Sequence, residues 1–200
     1  MPKPQMEFWF EFASTYSYLS VMRLPGLANQ AGADVQWRPF LLGPIFAAQG
    51  WDTSPFNIYA AKGAYMWRDM ERRCSALGLD LKRPDPFPQN SLLAARVAQL
   101  ALQQPQGIAF CQNVFLMQFA EHEDISDMQV IASCLAAVGL PEAILHKATE
   151  DTNKHALRKT TEQAMTRGLF GAPSFTVGEE LFWGDDQLER ALSWAREHPG

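Results

Sequence analysis

Glu7-Phe8-Trp9-Phe10-Glu11-Phe12-Ala13-Ser14-Thr15-Tyr16-Ser17-Tyr18-Leu19 contains the junction on which the reading of this chain turns. Residues 7–12 are dense in aromatics and too short for a helix, so they read as a buried strand. From about Ser17 to Gln30 the apolar positions Tyr18, Leu19, Val21, Met22, Leu24 and Leu27 recur with helical spacing, and Gly32 supplies a C-terminal stop. Pro25 predicts a bend or the end of the first half of that helix, because proline has no N–H to give the preceding turn. Val35-Gln36-Trp37-Arg38-Pro39-Phe40 alternates as a second strand. A β-α-β start this short implies parallel pairing through a right-handed crossover.

Outward from that start the texture changes. From about Ser54 to Gly168 the pattern is almost all helical. Ser54-Pro55 opens it, and a helix through Tyr59–Leu77 ends at Gly78. The stretch 81–89 is a loop carrying Pro84, Pro86 and Pro88, after which Asn90 is placed to cap a helix reaching about Gln103. Further helices are expected over about 107–121, 127–138, 141–149 and 152–167, with Ser126-x-x-Gln129 as a capping box. Strand signals return at Ser174-Phe175-Thr176-Val177 and Leu181-Phe182-Trp183, a hairpin around Gly178, and a last helix runs from Gln187 to about Arg196. Removing the helical block leaves β-α-β-α-β-β-α, the thioredoxin topology. The expectation is therefore an α/β protein of one domain over 1–200, with a thioredoxin-like part at about 5–43 and 150–198 and an all-helical insertion at about 44–149.

The bulk numbers suit that reading. Two hundred residues, 47% of them apolar, are enough for one domain with a real core. A formal charge of −5 argues against a nucleic-acid partner, since phosphate binding wants a basic face. No apolar stretch approaches the roughly 18 residues of a membrane span, and Met1–Met6 carries neither the apolar segment nor the cleavage site of a signal peptide. Cys74, Cys111 and Cys134 are far apart, which reads as reduced thiols in a cytoplasmic protein; His122, His146, His155 and His198 share no ligand spacing with them, so no metal site is expected.

Three features can carry chemistry. In a thioredoxin fold the reactive group sits at the N-terminus of the first helix, where free N–H groups and a partial positive charge stabilise anions. Ser14-Thr15-Tyr16-Ser17 stands there with no cysteine, which excludes dithiol exchange at that point. Ser14 is either an ordinary helix cap or a hydroxyl that donates to a thiolate brought by a cosubstrate. Ala172-Pro173, just ahead of the Ser174 strand, is either a loop proline or an edge whose Ala172 backbone pairs with a bound peptide. Gly184-Asp185-Asp186 opens a helix with two acids, which is either macrodipole chemistry or a receptor for an α-amino acid head.

Taken in order, Phe8-x-Phe10-Glu11-Phe12-x-Ser14-x-Tyr16-Ser17-Tyr18-Leu19, Phe40-Leu41-Leu42-Gly43, Gly168-x-Phe170-Gly171-Ala172-Pro173-Ser174-Phe175 and Phe182-Trp183-Gly184-x-Asp186-x-Leu188 resemble the 2-hydroxychromene-2-carboxylate isomerases, relatives of kappa-class glutathione transferases within the DsbA-like thioredoxin superfamily. The resemblance covers nearly the whole chain, including Tyr65-Met66-x-Arg68-Asp69. It implies glutathione as cofactor, Ser14 as the catalytic serine that stabilises its thiolate, and a cis-proline loop. It also implies that Ala172, Pro173, Gly184, Asp185 and Asp186 hold the tripeptide, with Tyr16 and Asn90 near a small aromatic-derived substrate, and it implies a homodimer. The chain departs from the family pattern at Thr15 and Gln187, where proline and arginine are usual, and residues 44–52 contain no lysine to meet a substrate carboxylate.

The resemblance implies isomerisation of an aromatic-derived unsaturated keto acid by reversible thiolate addition, with glutathione returned unchanged. Two alternatives stand beside it. A kappa-like glutathione transferase would form a stable conjugate in the same site, and a non-catalytic thiol- or peptide-binding module would use the scaffold without turnover.

Overall fold

The computed structural model describes residues 3–199. Four strands, β1 (Gln5–Phe10), β2 (Asp34–Pro39), β3 (Ser174–Val177) and β4 (Glu180–Trp183), form one sheet in the order β2-β1-β3-β4. β1 and β2 pair in parallel, β3 runs antiparallel to β1, and β4 antiparallel to β3. Alternation along β1 splits the sheet's two faces. Met6, Phe8 and Phe10 enter the main core with Tyr18, Phe115 and Phe175, whereas Trp9 enters a smaller cluster with Phe40, Ile45, Ala164 and Leu169. Phe8 stacks on Phe10 and Phe175 and meets Trp37 edge-on, so the aromatics of the opening stretch are the seed of the core.

Helix α1 (Thr15–Ala31) follows β1 and stops at Gly32, whose φ of 63° suits glycine. Of the two outcomes expected at Pro25, a bend or an end, the end does not occur: the helix runs on through it. The carbonyl that Pro25 cannot satisfy is that of Val21, and the Gln112 side-chain amide donates to it at 3.2 Å. A partner 91 residues away in sequence therefore repairs the break.

Between β2 and β3 come α2 (Leu42–Ala48), α3 (Pro55–Ile58), α4 (Ala60–Leu77), α5 (Leu92–Ala101), α6 (Gly107–Phe119), α7 (Met128–Ala137), α8 (Ala143–Ala148) and α9 (Asp151–Thr166). Ser54 caps the short α3, accepting from the Phe56 N–H at 3.3 Å, and α4 starts afresh at Ala60. The two pack closely at Gly63, where a Cβ would lie 2.2 Å from the Phe56 carbonyl oxygen. The expected capping box on Ser126 is displaced by one residue. Asp127 caps α7 by accepting from the Gln129 N–H at 2.8 Å, while the Ser126 N–H is held by Asp124. Asn90 likewise sits one residue before the cap of α5, its Oδ1 accepting from the Leu92 N–H at 3.0 Å. After β4 a 3₁₀ turn, Asp185–Gln187, leads into α10 (Leu188–Glu197), so the last helix begins one residue later than its pattern suggested. None of the described helices is long and apolar enough to cross a membrane.

Candidate active site

Because β3 lies antiparallel beside β1, with Trp9 opposite Ser174, the loop before β3 abuts the loop after β1. Ser14 caps α1, its Oγ accepting from the Ser17 N–H at 3.2 Å. The same hydroxyl donates to the Ala172 carbonyl at 2.8 Å. The Ala172–Pro173 peptide is cis, and the Pro173 carbonyl accepts from the Gly184 N–H at 2.9 Å. Gly184 has φ of 106°, and a Cβ there would lie 2.5 Å from Asp186 Oδ1, so glycine is required at this corner. These contacts gather Ser14, Ala172, Pro173 and Gly184–Asp186, which are 172 residues apart at their extremes, into one place.

Ser14, Ala172 and Gly184–Asp186 border an open cavity of about 1130 Å³. α2 contributes Leu42 and Phe46, α3 contributes Phe56, and the loop before α5 contributes Phe87 and Asn90. Lys62, Tyr65, Asp69 and Arg73 come from α4. The rim carries Phe170 and Trp183, about half exposed and packed edge to face at 4.8 Å. Tyr16 lines the same space and donates to Asp69 Oδ2 at 3.2 Å. Burial, then the Asp69 carboxylate, pushes its phenol well above the usual range, so Tyr16 stays neutral and pinned.

The two acids of Gly184-Asp185-Asp186 have different surroundings. Asp185 is buried and its carboxylate is fully engaged: Oδ1 accepts from Ser20 Oγ at 2.7 Å, and Oδ2 accepts from Arg23 Nη1 at 3.0 Å and from Arg73 Nη2. Asp186 is exposed and borders the cavity.

Sequence reasoning passed over Glu11 and Arg73. Glu11 reaches the cavity from the β1–α1 loop while only 4% exposed. Its Oε1 accepts from the Ala13 N–H at 3.3 Å and from the Ser91 hydroxyl, and its Oε2 accepts from the Leu42 N–H at 2.9 Å. One carboxylate thus ties the start of α1, the start of α2 and the start of α5 around the cavity. Burial outweighs these donors and raises its pKa. A lone acid inside the aromatic run Trp9-Phe10-Glu11-Phe12 was the available signal, since a charge in a buried strand needs partners. For Arg73 the signal was the spacing of Lys62, Tyr65, Asp69 and Arg73, which places one face of α4 on the cavity.

No cysteine lines the cavity. Cys74, Cys111 and Cys134 are all buried and free. Burial pushes the Cys74 and Cys134 thiols up to about 11 and that of Cys111 higher still, so none is a nucleophile at neutral pH.

A profile for the DSBA-like thioredoxin domain matches residues 5–193. A 2-hydroxychromene-2-carboxylate isomerase of Sphingobium xenophagum is 30% identical over 92% of this chain and 94% of its own length. The chain belongs to the 2-hydroxychromene-2-carboxylate isomerase family, within the DSBA-like thioredoxins. Another protein of that name, from Pseudomonas putida, is 25% identical over 92% of this chain and 90% of its own. Glutathione S-transferase kappa 1 of Caenorhabditis elegans is 25% identical over 94% of this chain and 89% of its own. Among solved structures, a 2-hydroxychromene-2-carboxylate isomerase superposes with a TM-score of 0.85 over 95% of this chain and 93% of that one, at 24% identity, a likeness of fold. The relatives named here are enzymes, two isomerases and a glutathione transferase.

Proposed function

We propose that this chain is a glutathione-dependent isomerase of the 2-hydroxychromene-2-carboxylate isomerase type, acting on an aromatic-derived unsaturated keto acid. The observation that carries the reading is the 2.8 Å bond from the Ser14 hydroxyl to the Ala172 carbonyl at the edge of a cavity that contains no thiol of its own. A tripeptide thiol fits this set of groups. Ala172 offers an acceptor for a peptide N–H, Ser14 a donor for a sulfur anion, and Asp186 a carboxylate for an ammonium. Bound glutathione supplies a thiolate that adds reversibly to an unsaturated carbon, turns a double bond into a rotatable single bond, and is returned unchanged.

The chain's own residues set this up as an exchange of partners. The Ala172 carbonyl would accept a peptide N–H of the tripeptide, and the Ser14 hydroxyl so released would donate to its sulfur. Ser14 keeps its bond from the Ser17 N–H, so its oxygen stays in position while its proton is re-aimed. The N-terminus of α1 adds partial positive charge at the same point. Tyr16, neutral and held by Asp69, together with Phe46, Phe56 and Phe87, gives an apolar wall for an aromatic-derived substrate.

Kinship with kappa-class transferases favours a second reading, stable conjugation in the same site. Mass spectrometry of the products separates them: isomerised substrate with free glutathione supports the isomerase, and a conjugate supports the transferase. The first test is calorimetry. Wild type binds glutathione in the micromolar to millimolar range, and Asp186→Ala weakens binding about tenfold or more, the scale of one lost hydrogen bond to a charged group. No binding at millimolar glutathione by folded protein removes glutathione dependence and leaves a binding module of another specificity.

A further inference from the structure

Arg73 has no part in the reading above, yet its setting is specific. It lines the cavity from α4, with about a quarter of its side chain exposed. Its Nη2 donates to Oδ2 of the buried Asp185, and its guanidinium carbon lies 5.8 Å from the centre of the Tyr16 ring. Tyr16 is in turn held by Asp69. The guanidinium is therefore held at Nη2 by a carboxylate and over one face by a ring, while its Nε and Nη1 have no hydrogen-bond partner among the described residues.

Arg23 differs. Its Nη1 and Nη2 are both committed, to Asp185 and to Glu189 respectively. Arg23, Asp185 and Glu189 together carry one positive and two negative charges, so Arg73 is the cation that brings this group to neutrality. Without it, the Asp185 carboxylate would repel an incoming anion. Asp186, next along the chain from the Arg73 partner Asp185, carries an exposed carboxylate and lines the same cavity. A cation and an anion lining one cavity, linked through Asp185, complement a zwitterion.

We propose that Arg73 binds the α-carboxylate of an α-amino acid head group, with Asp186 taking the ammonium and Asp185 acting as the positioning residue for the guanidinium. The assignment rests on the glutathione reading of the site, in which that head is the γ-glutamyl end. Arg73 suits the role because a planar guanidinium presents paired N–H groups to the two oxygens of a carboxylate.

The test is calorimetry with glutathione and with γ-aminobutyryl-cysteinyl-glycine, a tripeptide that lacks only the α-carboxylate. Wild type prefers glutathione by roughly 10- to 100-fold, as for a lost charge-assisted hydrogen-bond pair. Arg73→Gln, checked for folding by circular dichroism, binds glutathione more weakly by about the same factor and does not distinguish the two peptides. Arg73→Lys, which retains charge but not the paired donors, falls between, and it serves in place of Arg73→Gln should that variant not fold. Equal binding of both peptides by wild type, or an undiminished preference for glutathione in Arg73→Gln, overturns the assignment while leaving the glutathione site intact. Binding of neither peptide by folded wild type refutes the glutathione reading and this assignment with it.

Discussion

Ser14→Ala lowers turnover about 10²-fold while the protein stays folded, on the scale of one lost donor to a developing or resident anion. The side chain has two jobs that the substitution removes together, and they can be separated. As the cap of α1 it satisfies the Ser17 N–H, and its loss costs about 1 kcal/mol of stability. As the donor now directed at Ala172 it is the hydroxyl available to a sulfur anion. Capping is shared by serine, aspartate and asparagine, but only a hydroxyl both accepts from Ser17 and donates a single proton outward. Ser14→Asp therefore restores the cap without the activity, which distinguishes chemistry from helix stability. Loss of the donor also raises the pKa of the bound thiol, so the pH–rate profile of Ser14→Ala moves to higher pH and the deficit narrows as pH rises. Near-wild-type kcat with an unmoved profile would remove Ser14 from the mechanism.

The largest effect on stability falls on a residue outside the proposed chemistry. Glu11→Ala destabilises the protein by about 2–4 kcal/mol in urea denaturation, because it strands the buried Ser91 hydroxyl and removes the acceptor of the half-buried Leu42 and Ala13 N–H groups. Glu11→Gln reports the protonation state instead. Burial raises the Glu11 pKa above 4.5 in the folded protein. Between the unfolded and the folded pKa the native state binds the extra proton, so this group's contribution is fully present below about 4.5 and is lost as pH rises through the folded value. The stability of wild type relative to Glu11→Gln therefore falls with increasing pH, by at most about 1.4 kcal/mol per unit, until the carboxyl ionises. A difference that grows with pH would mean that the three donors outweigh burial and hold Glu11 ionised.

These two residues also show why a local reading reaches one and not the other. Ser14 is visible because capping and helix-terminus chemistry are local: its partner Ser17 is three residues away, and the helix it opens is written in the next turns. Glu11 works through Leu42 and Ser91, 31 and 80 residues distant, and nothing near it in the chain names them. Pro25 illustrates the same limit from the other side. Its local rule predicts a bend or an end, yet the helix continues, and the orphaned Val21 carbonyl is taken by a distant amide, Gln112.

Hydrophobic periodicity, the aromatic run at residues 8–12 and the turn residues Gly32, Gly78 and Gly178 by themselves determined the order of the strands and of the longer helices, though not the short α2, because each rests on backbone preferences and on burial that repeats every two or 3.6 residues. That order led to the thioredoxin topology and to Ser14, Ala172–Pro173 and Gly184–Asp186 as the groups worth bringing together. The tertiary structure decided how those groups divide their work. Asp185 and Asp186 are neighbours of identical chemistry in the sequence, and only packing against Ser20, Arg23 and Arg73 buries one as a structural anion while the other stays open to the cavity. The physical reason is range: propensity and capping act over a few residues, whereas burial of a charge and the choice of its partner depend on which distant segments the sheet brings within hydrogen-bonding distance.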